Sequence, residues 1–442
     1  MITQRLVGIG AGPANLSLAA LLDTSEDALD DVFLETKETF RWHAGMMLPD
    51  AEMQVHFLKD LVTPVDPTNP HSILAYMVSR GELYRMLNTR RQRLSRRGYE
   101  AYCSWVAARL PAVRFGTEVL DVRWDAGFRV TTSRGTFRSR HLSVGTGVVP
   151  RLPDCATQTA GWPQVTHSAH FLDHPVPRAA RRVVVVGGGQ SGAEVVAHLQ
   201  ERLEPGSRIE WVTRRGNFLP LDESPFVEDL FTPEASEEFF HRPPEIRSLL
   251  LSEQRLASDG VSDSLLERIY QRMFDIRNGY REGPHLATRV STELTGLERT
   301  GTGAVRLGVV NRLSGEGVET QADHVVLATG YSQELPPAVA PLVPLLATEE
   351  GHPQLRPDFS VRWDGPDSHR IYLQNGARHA RGVADPNLSL LAWRSAAIAV
   401  SVAPDLGKRL LEPHLPLDVG PRAPSGGSGP HPWADRTGRN SL

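Results

Sequence analysis

Arg5-Leu-Val-Gly-Ile9, then Gly10-Ala-Gly-Pro-Ala-Asn15, then Leu16-Ser-Leu-Ala-Ala-Leu-Leu22, is the stretch that decides the fold class. A short apolar run ends in two glycines and passes into an apolar segment of helical length, which predicts strand, tight turn and helix. Gly10 permits the turn. Gly12 lets a pyrophosphate approach the backbone at a helix N-terminus, where amide groups point outward. Asn15 stands where a third glycine is usual. Asp31-Val-Phe-Leu-Glu35 reads as the next strand, and Glu35 lies 20 residues beyond Asn15. An acid at that place hydrogen-bonds an adenosine ribose 2′-OH.

The same arrangement returns at 181–213. Arg181-Arg-Val-Val-Val-Val186 runs into Gly187-Gly188-Gly189-Gln190-Ser191-Gly192, a helix is expected from Ser191 to Leu203, and a strand at 208–213. Arg214 and Arg215 now stand where the acid stood. A guanidinium pairs bidentately with a 2′-phosphate, and an acid would repel it. FAD in the first unit and NADPH in the second is the economical assignment. Leu142–Gly147 and Asp323–Tyr331 are further apolar strands ending in Gly-Thr-Gly and in Ala328-Thr329-Gly330, suited to return the chain to the first unit.

The expectation is an α/β protein with two Rossmann-like dinucleotide-binding domains and a smaller, mostly helical substrate-binding region. Residues 1–175 would begin the FAD domain. Residues 176–318 would form the NADPH domain, with a helical insert at about 220–285. Residues 319–410 would return to the FAD and substrate region. The Pro-, Gly- and Ser-rich stretch 411–442 is expected to be disordered. Residues 82–110 read as one long Arg-rich helical stretch, with Tyr99, Tyr102, Trp105 and Leu110 toward the core.

The 442 residues carry 48 Lys plus Arg against 52 Asp plus Glu, a net charge of −4 that argues against a nucleic-acid partner. Cys103 and Cys155 are the only cysteines, and without a C-x-x-C pair a flavin disulfide reductase and a zinc knuckle are both excluded. His167 and His170 read as loop histidines, and no metal is expected. Gly12-Pro13 interrupts the apolar N-terminus and no run of 18 apolar residues follows, so neither a signal peptide nor a membrane span is expected. A cytoplasmic enzyme fits; its oligomeric state is left open.

Five further segments carry a resemblance. Trp42-His43-Ala44-Gly45-Met46, Met53-Gln54-Val55-His56-Phe57-Leu58-Lys59-Asp60-Leu61-Val62, Asp66-Pro67-Thr68-Asn69-Pro70, Ala328–Tyr331 and Asp385-Pro386-Asn387-Leu388-Ser389-Leu390-Leu391 resemble the N-hydroxylating flavin monooxygenases of siderophore biosynthesis. Phe57–Val62, Ala257–Val261 and Leu391–Ala396 look closest to the L-lysine N6-hydroxylase branch. The resemblance implies that NADPH reduces FAD, that reduced flavin activates O2, and that a terminal amine becomes a hydroxylamine. It implies that Lys59 pairs with the substrate α-carboxylate and that Ser389 lies near the substrate. Trp42 and Gln54 would line the isoalloxazine, with His43 beside them, and Gln190 would sit over the NADPH pyrophosphate.

Ornithine-type members place asparagines near the substrate amine, in segments that align with Pro225–Phe231 and Ser258–Val261. Glu228 and Asp259 stand here instead. A carboxylate attracts an ammonium but also raises its pKa, which opposes the neutral amine the chemistry needs; it could instead accept a proton. The substrate expected is L-lysine, with L-ornithine, cadaverine and putrescine as alternatives. A nucleotide-binding flavoprotein without turnover is the non-enzymatic alternative.

Overall fold

Strand β1 (Thr3–Ile9) ends at Gly10, whose φ of 86° makes the turn, and Pro13 opens helix α1 (Pro13–Leu22) at a position where its missing N–H costs nothing. The computed structural model describes residues 3–25, 30–301 and 303–411. All ten residues of α1 are buried, because the helix lies between the first sheet and helix α8 (Leu391–Val402). Burial of each of its leucines contributes about 1.5–3 kcal/mol.

The first sheet adds β2 (Asp31–Leu34), β3 (Val113–Arg114), β4 (Val119–Trp124), β5 (Phe128–Thr132) and β6 (Gly135–Val144) in the order β3-β2-β1-β6-β5-β4. Strands β3, β2, β1 and β6 are parallel and β4–β5 form an antiparallel extension, while β15 (Ile371–Leu373) adds in parallel beside β6. The register puts Ile9 opposite both Leu34 and Val144, so the β1, β2 and β6 ends open on one edge.

The second sheet is wholly parallel, a geometry that needs helices on its faces and apolar strands. It comprises β7 (Val165–His167), β8 (Arg182–Val186), β9 (Arg208–Val212), β10 (His285–Arg289) and β14 (His324–Leu327), ordered β10-β9-β8-β14-β7. Helix α3 (Gln190–Arg202) crosses from β8 to β9 and packs on α7 (Asp263–Arg277). A meander of β11 (Thr292–Arg299), β12 (Val305–Asn311) and β13 (Gly317–Ala322) shares an apolar cluster with this sheet. The predicted insert contains α4 (Pro225–Glu228), α5 (Pro233–Phe240), α6 (Pro244–Glu253) and α7.

The structure differs from the sequence expectation in three places. Val165–His167 and His324–Leu327, assigned to the FAD part and to the return, belong to the second sheet, because Val325–Leu327 pairs in parallel with Val165–His167 on one side and with Val184–Val186 on the other. Residues 82–110 are not one helix. Leu83–Asn88 and α2 (Arg96–Ala107) are separated by a segment whose carbonyls are taken elsewhere: Gln92 O accepts from Phe57 N and Leu94 O from Met53 N. Ser95 then caps α2 by accepting from Gly98 N. Tyr99, Tyr102 and Leu110 are buried as expected. Apart from Leu411, the tail expected to be disordered lies outside the described residues.

Candidate functional site

At the β1 edge, the carboxylate of Glu35 receives the amide N–H of Ala11 at 3.0 Å, which joins the glycine turn to the predicted acid. A Cβ on Gly10 would lie 2.6 Å from Gly145 O, whereas at Gly12 the nearest atom is 3.9 Å away. Asn15 turns inward. It donates to Gly10 O at 2.7 Å and accepts from Ser143 Oγ at 2.7 Å, so it fastens the turn to the end of β6. Trp42, His43 and Tyr99 form an aromatic group with ring centroids 4.6 and 5.2 Å from Trp42. His43 adopts a left-handed φ of 49°, and desolvation together with the Arg96 and Lys37 cations lowers its pKa to about 4. Gln54 Nε2 is buried with no hydrogen-bond partner.

In the second unit, Gly189 caps α3 and a Cβ there would meet nothing within 4 Å. Gly187 has a φ of 136° and fits against Ala328 O, and Gly192 fits against Gly187 O. Among these glycines, the packing leaves Gly189 open in front of the helix N-terminus. Ser191 lies in the first turn of α3. Gln190 donates to Glu194 at 3.0 Å and accepts from Ser262 N at 2.9 Å. Arg214 is exposed at the β9 end, while Arg215 is half-buried, donates to Asp259 O at 2.6 Å, and has its pKa lowered by burial. Thr329 Oγ1 donates to Arg151 O and Gly330 O accepts from Arg151 N at 3.0 Å, so the two connecting segments run side by side.

The helical region meets the first unit at a cluster from three remote segments. Lys59 Nζ donates to Glu228 Oε2 at 2.9 Å and to Ser389 Oγ at 3.2 Å. Asp60 orients Lys59. Its buried carboxylate accepts Val62 N at 2.9 Å, Thr63 N at 2.6 Å and Ile73 N at 2.5 Å, which points it inward and its neighbour outward. Burial raises the Asp60 pKa against those hydrogen bonds. Ser17 of α1 also donates to Leu61 O at 2.5 Å. Glu228 ends α4, and Ser389 precedes α8 with its amide held by Asn387 Oδ1 at 2.8 Å. Asp259 does not join Lys59. Its carboxylate faces Arg378 at 3.5 Å, and Arg378 also donates to Ser258 Oγ at 3.1 Å. The physical reason is that Arg215 and Arg378 hold loop 258–259 from two sides.

Two ion-pair networks frame the site and were not predicted. Arg96 of α2 makes a bidentate pair with Glu194 of α3, at 3.0 and 2.8 Å, across the two units. Arg394 of α8 is buried and binds Asp385, Gln374 and Asn375. A single charged residue inside the otherwise uncharged Leu391–Val402 was the available signal for the second. His167 is committed to Ala169 N and Gly330 O, and His170 to Asp173. Among the described residues there is no group of His, Cys, Asp and Glu able to hold a metal ion, and no helix is long and apolar enough to cross a membrane.

Residues 3–333 match the family described as L-lysine 6-monooxygenase/L-ornithine 5-monooxygenase. The chain belongs to that family. It is 35% identical over 415 residues to an L-lysine N6-monooxygenase of Escherichia coli, covering 93% of this chain and 96% of the relative. The ornithine N-hydroxylase of Kutzneria sp. 744, solved with reduced FAD, NADP+ and L-ornithine, superposes with a TM-score of 0.85 at 31% identity, covering 91% of this chain and 99% of the other. The FAD-bound cadaverine monooxygenase of Erwinia amylovora superposes with a TM-score of 0.84 at 26% identity, covering 97% and 99%. The protein is accordingly an N-hydroxylating flavin monooxygenase that uses FAD and NADPH. Its own residues fit both: a tight turn with an acid at its lip and an orphaned buried amide for the first, an open glycine at the N-terminus of a 13-residue helix for the second.

Proposed function

We infer that the enzyme hydroxylates the terminal amine of L-lysine at N6, supplying a hydroxamate siderophore pathway. The observation that supports this is the convergence of Lys59, Ser389 and Glu228, which includes a cation able to pair with the carboxylate that an amino acid carries and a diamine lacks. The likeness to the E. coli L-lysine N6-monooxygenase supports the same choice.

When bound, FAD takes a hydride from NADPH and activates O2 so that one oxygen atom is transferred to a neutral amine. The amides around Gly10 and Gly12 and the carboxylate of Glu35 hold the adenine nucleotide half of FAD. Trp42 and His43 wall the ring, and a neutral His43 adds no charge there. Gln54 Nε2 supplies a donor from a buried position. Thr329 and Gly330 bring the connecting segments to the same edge. Gly187, Gly189, Gln190, Ser191 and Gly192 hold the NADPH pyrophosphate, and Arg214 and Arg215 take its 2′-phosphate. Lys59 binds the α-carboxylate and Ser389 orients the chain.

Lys59→Met keeps the length and removes the charge. Loss of a charge-assisted hydrogen bond is worth about 1.5–3 kcal/mol, so KM for L-lysine should rise about tenfold or more, with little change for cadaverine. Equal losses on both substrates would refute the carboxylate role.

A further inference from the structure

We propose that Lys59 and Glu228 act together as a reader of the zwitterionic α-amino-acid end of the substrate, Lys59 taking the α-carboxylate and Glu228 the α-ammonium. The proposal rests on the amino-acid substrate inferred above and gives Glu228 a place that the sequence left undecided between binding the amine and accepting its proton.

The two side chains carry opposite charges 2.9 Å apart, with relative exposures of 29% for Lys59 and 45% for Glu228. An α-amino acid carries the complementary pair, a carboxylate and an ammonium on one carbon. A surface pair of this kind contributes about 0–1 kcal/mol, so parting it to admit a zwitterion costs little, and each side chain regains an opposite charge. The anchoring is unequal. Lys59 stands on a loop fixed by the buried Asp60 carboxylate and by Ser17, while Glu228 is the last residue of the four-residue α4. Glu228 is therefore the partner free to swing toward an ammonium beside the bound carboxylate.

The chemistry points the same way. The reacting amine must be neutral, and a carboxylate beside it would raise its pKa above the usual value of about 10.4. With Glu228 at Lys59, that acid stands at the end of the substrate remote from the reaction. Asp259, the other acid at a position where ornithine-type relatives carry asparagine, is engaged by Arg378 and by the Arg215 contact to its backbone.

The test compares L-lysine with 6-aminohexanoate, which keeps the carboxylate and the terminal amine but lacks the α-amine. Wild-type and Glu228→Gln holoenzymes are assayed for hydroxylamine product at saturating NADPH. Gln preserves the shape and can still accept from Lys59, so it removes the charge alone. Glu228→Gln should raise KM for L-lysine about tenfold with kcat nearly constant, and change KM for 6-aminohexanoate less than about twofold. Equal shifts on the two substrates, or none on L-lysine, would overturn the proposal alone. Preference of the wild-type enzyme for cadaverine over L-lysine would overturn it together with the substrate reading. Preference for L-ornithine would move the same comparison to 5-aminopentanoate, with the same criteria.

Discussion

Replacement of Arg394 by Met should loosen the loop that presents Ser389. Arg394 donates to Asp385 Oδ1 and Gln374 Oε1, both at 3.1 Å, and to Asn375 Oδ1 at 2.6 Å. Both charged side chains are almost wholly buried, at 3% and 0% relative exposure. Met fills much of the volume but leaves the Asp385 carboxylate with the Ala377 N–H at 2.8 Å as its remaining hydrogen bond among those seen. Removing one partner of a buried ion pair costs about 3–5 kcal/mol, chiefly because the other charge is stranded. The damage reaches further, since Gln374 Nε2 also contacts Ser143 Oγ at 3.4 Å, and Ser143 holds Asn15 behind the first glycine turn. The assay is urea unfolding of the FAD-saturated protein, with KM for the amine as a second readout. Adding Asp385→Asn removes the stranded charge and should recover about 2 kcal/mol, a large departure from additivity. A single-variant cost below about 1 kcal/mol, or a double variant whose costs simply add, would refute the reasoning.

Two other outcomes follow from local geometry. Gly10→Ala places a Cβ 2.6 Å from Gly145 O at a φ of 86°, so the variant should purify with little flavin, read from its visible absorbance; normal FAD content would contradict the account of the turn. His141 and His167 are buried, and desolvation lowers their pKa values to about 3 and about 4. In the unfolded chain both return to about 6.5. As pH falls below that value the unfolded state takes up protons first, so stability is full above about pH 6.5 and is lost below it, by about 2 kcal/mol per histidine at pH 5. Tm should fall between pH 7 and pH 5, and His167→Gln should flatten that slope; an unchanged slope would be contrary.

Both glycine turns, the strands before them and the place of Glu35 at the end of the next strand were legible in the sequence, because each lies within a strand–turn–helix–strand unit whose geometry is local, whereas the Ala11 N–H contact to the Glu35 carboxylate appears only in the structure. Lys59 and Ser389 were legible only through family likeness. Nothing in the sequence shows that residues 330 positions apart meet at 3.2 Å. Glu228 and Asp259 looked equivalent, as acids at aligned positions. Tertiary partners separate them, Lys59 for one and Arg378 for the other. The break at 89–95 was invisible for a similar reason. Helical periodicity records the faces of the flanking helices, while the carbonyls of Gln92 and Leu94 are claimed by Phe57 and Met53 across the chain.

The central claim is the identity of the amine. The purified, FAD-loaded enzyme is incubated with NADPH and O2 and with L-lysine, L-ornithine, cadaverine or putrescine in turn, and hydroxylamine product is quantified against NADPH consumed. The account predicts coupled turnover with L-lysine above all others; hydroxylamine mainly from a diamine, or NADPH oxidation yielding only hydrogen peroxide with all four, would contradict it.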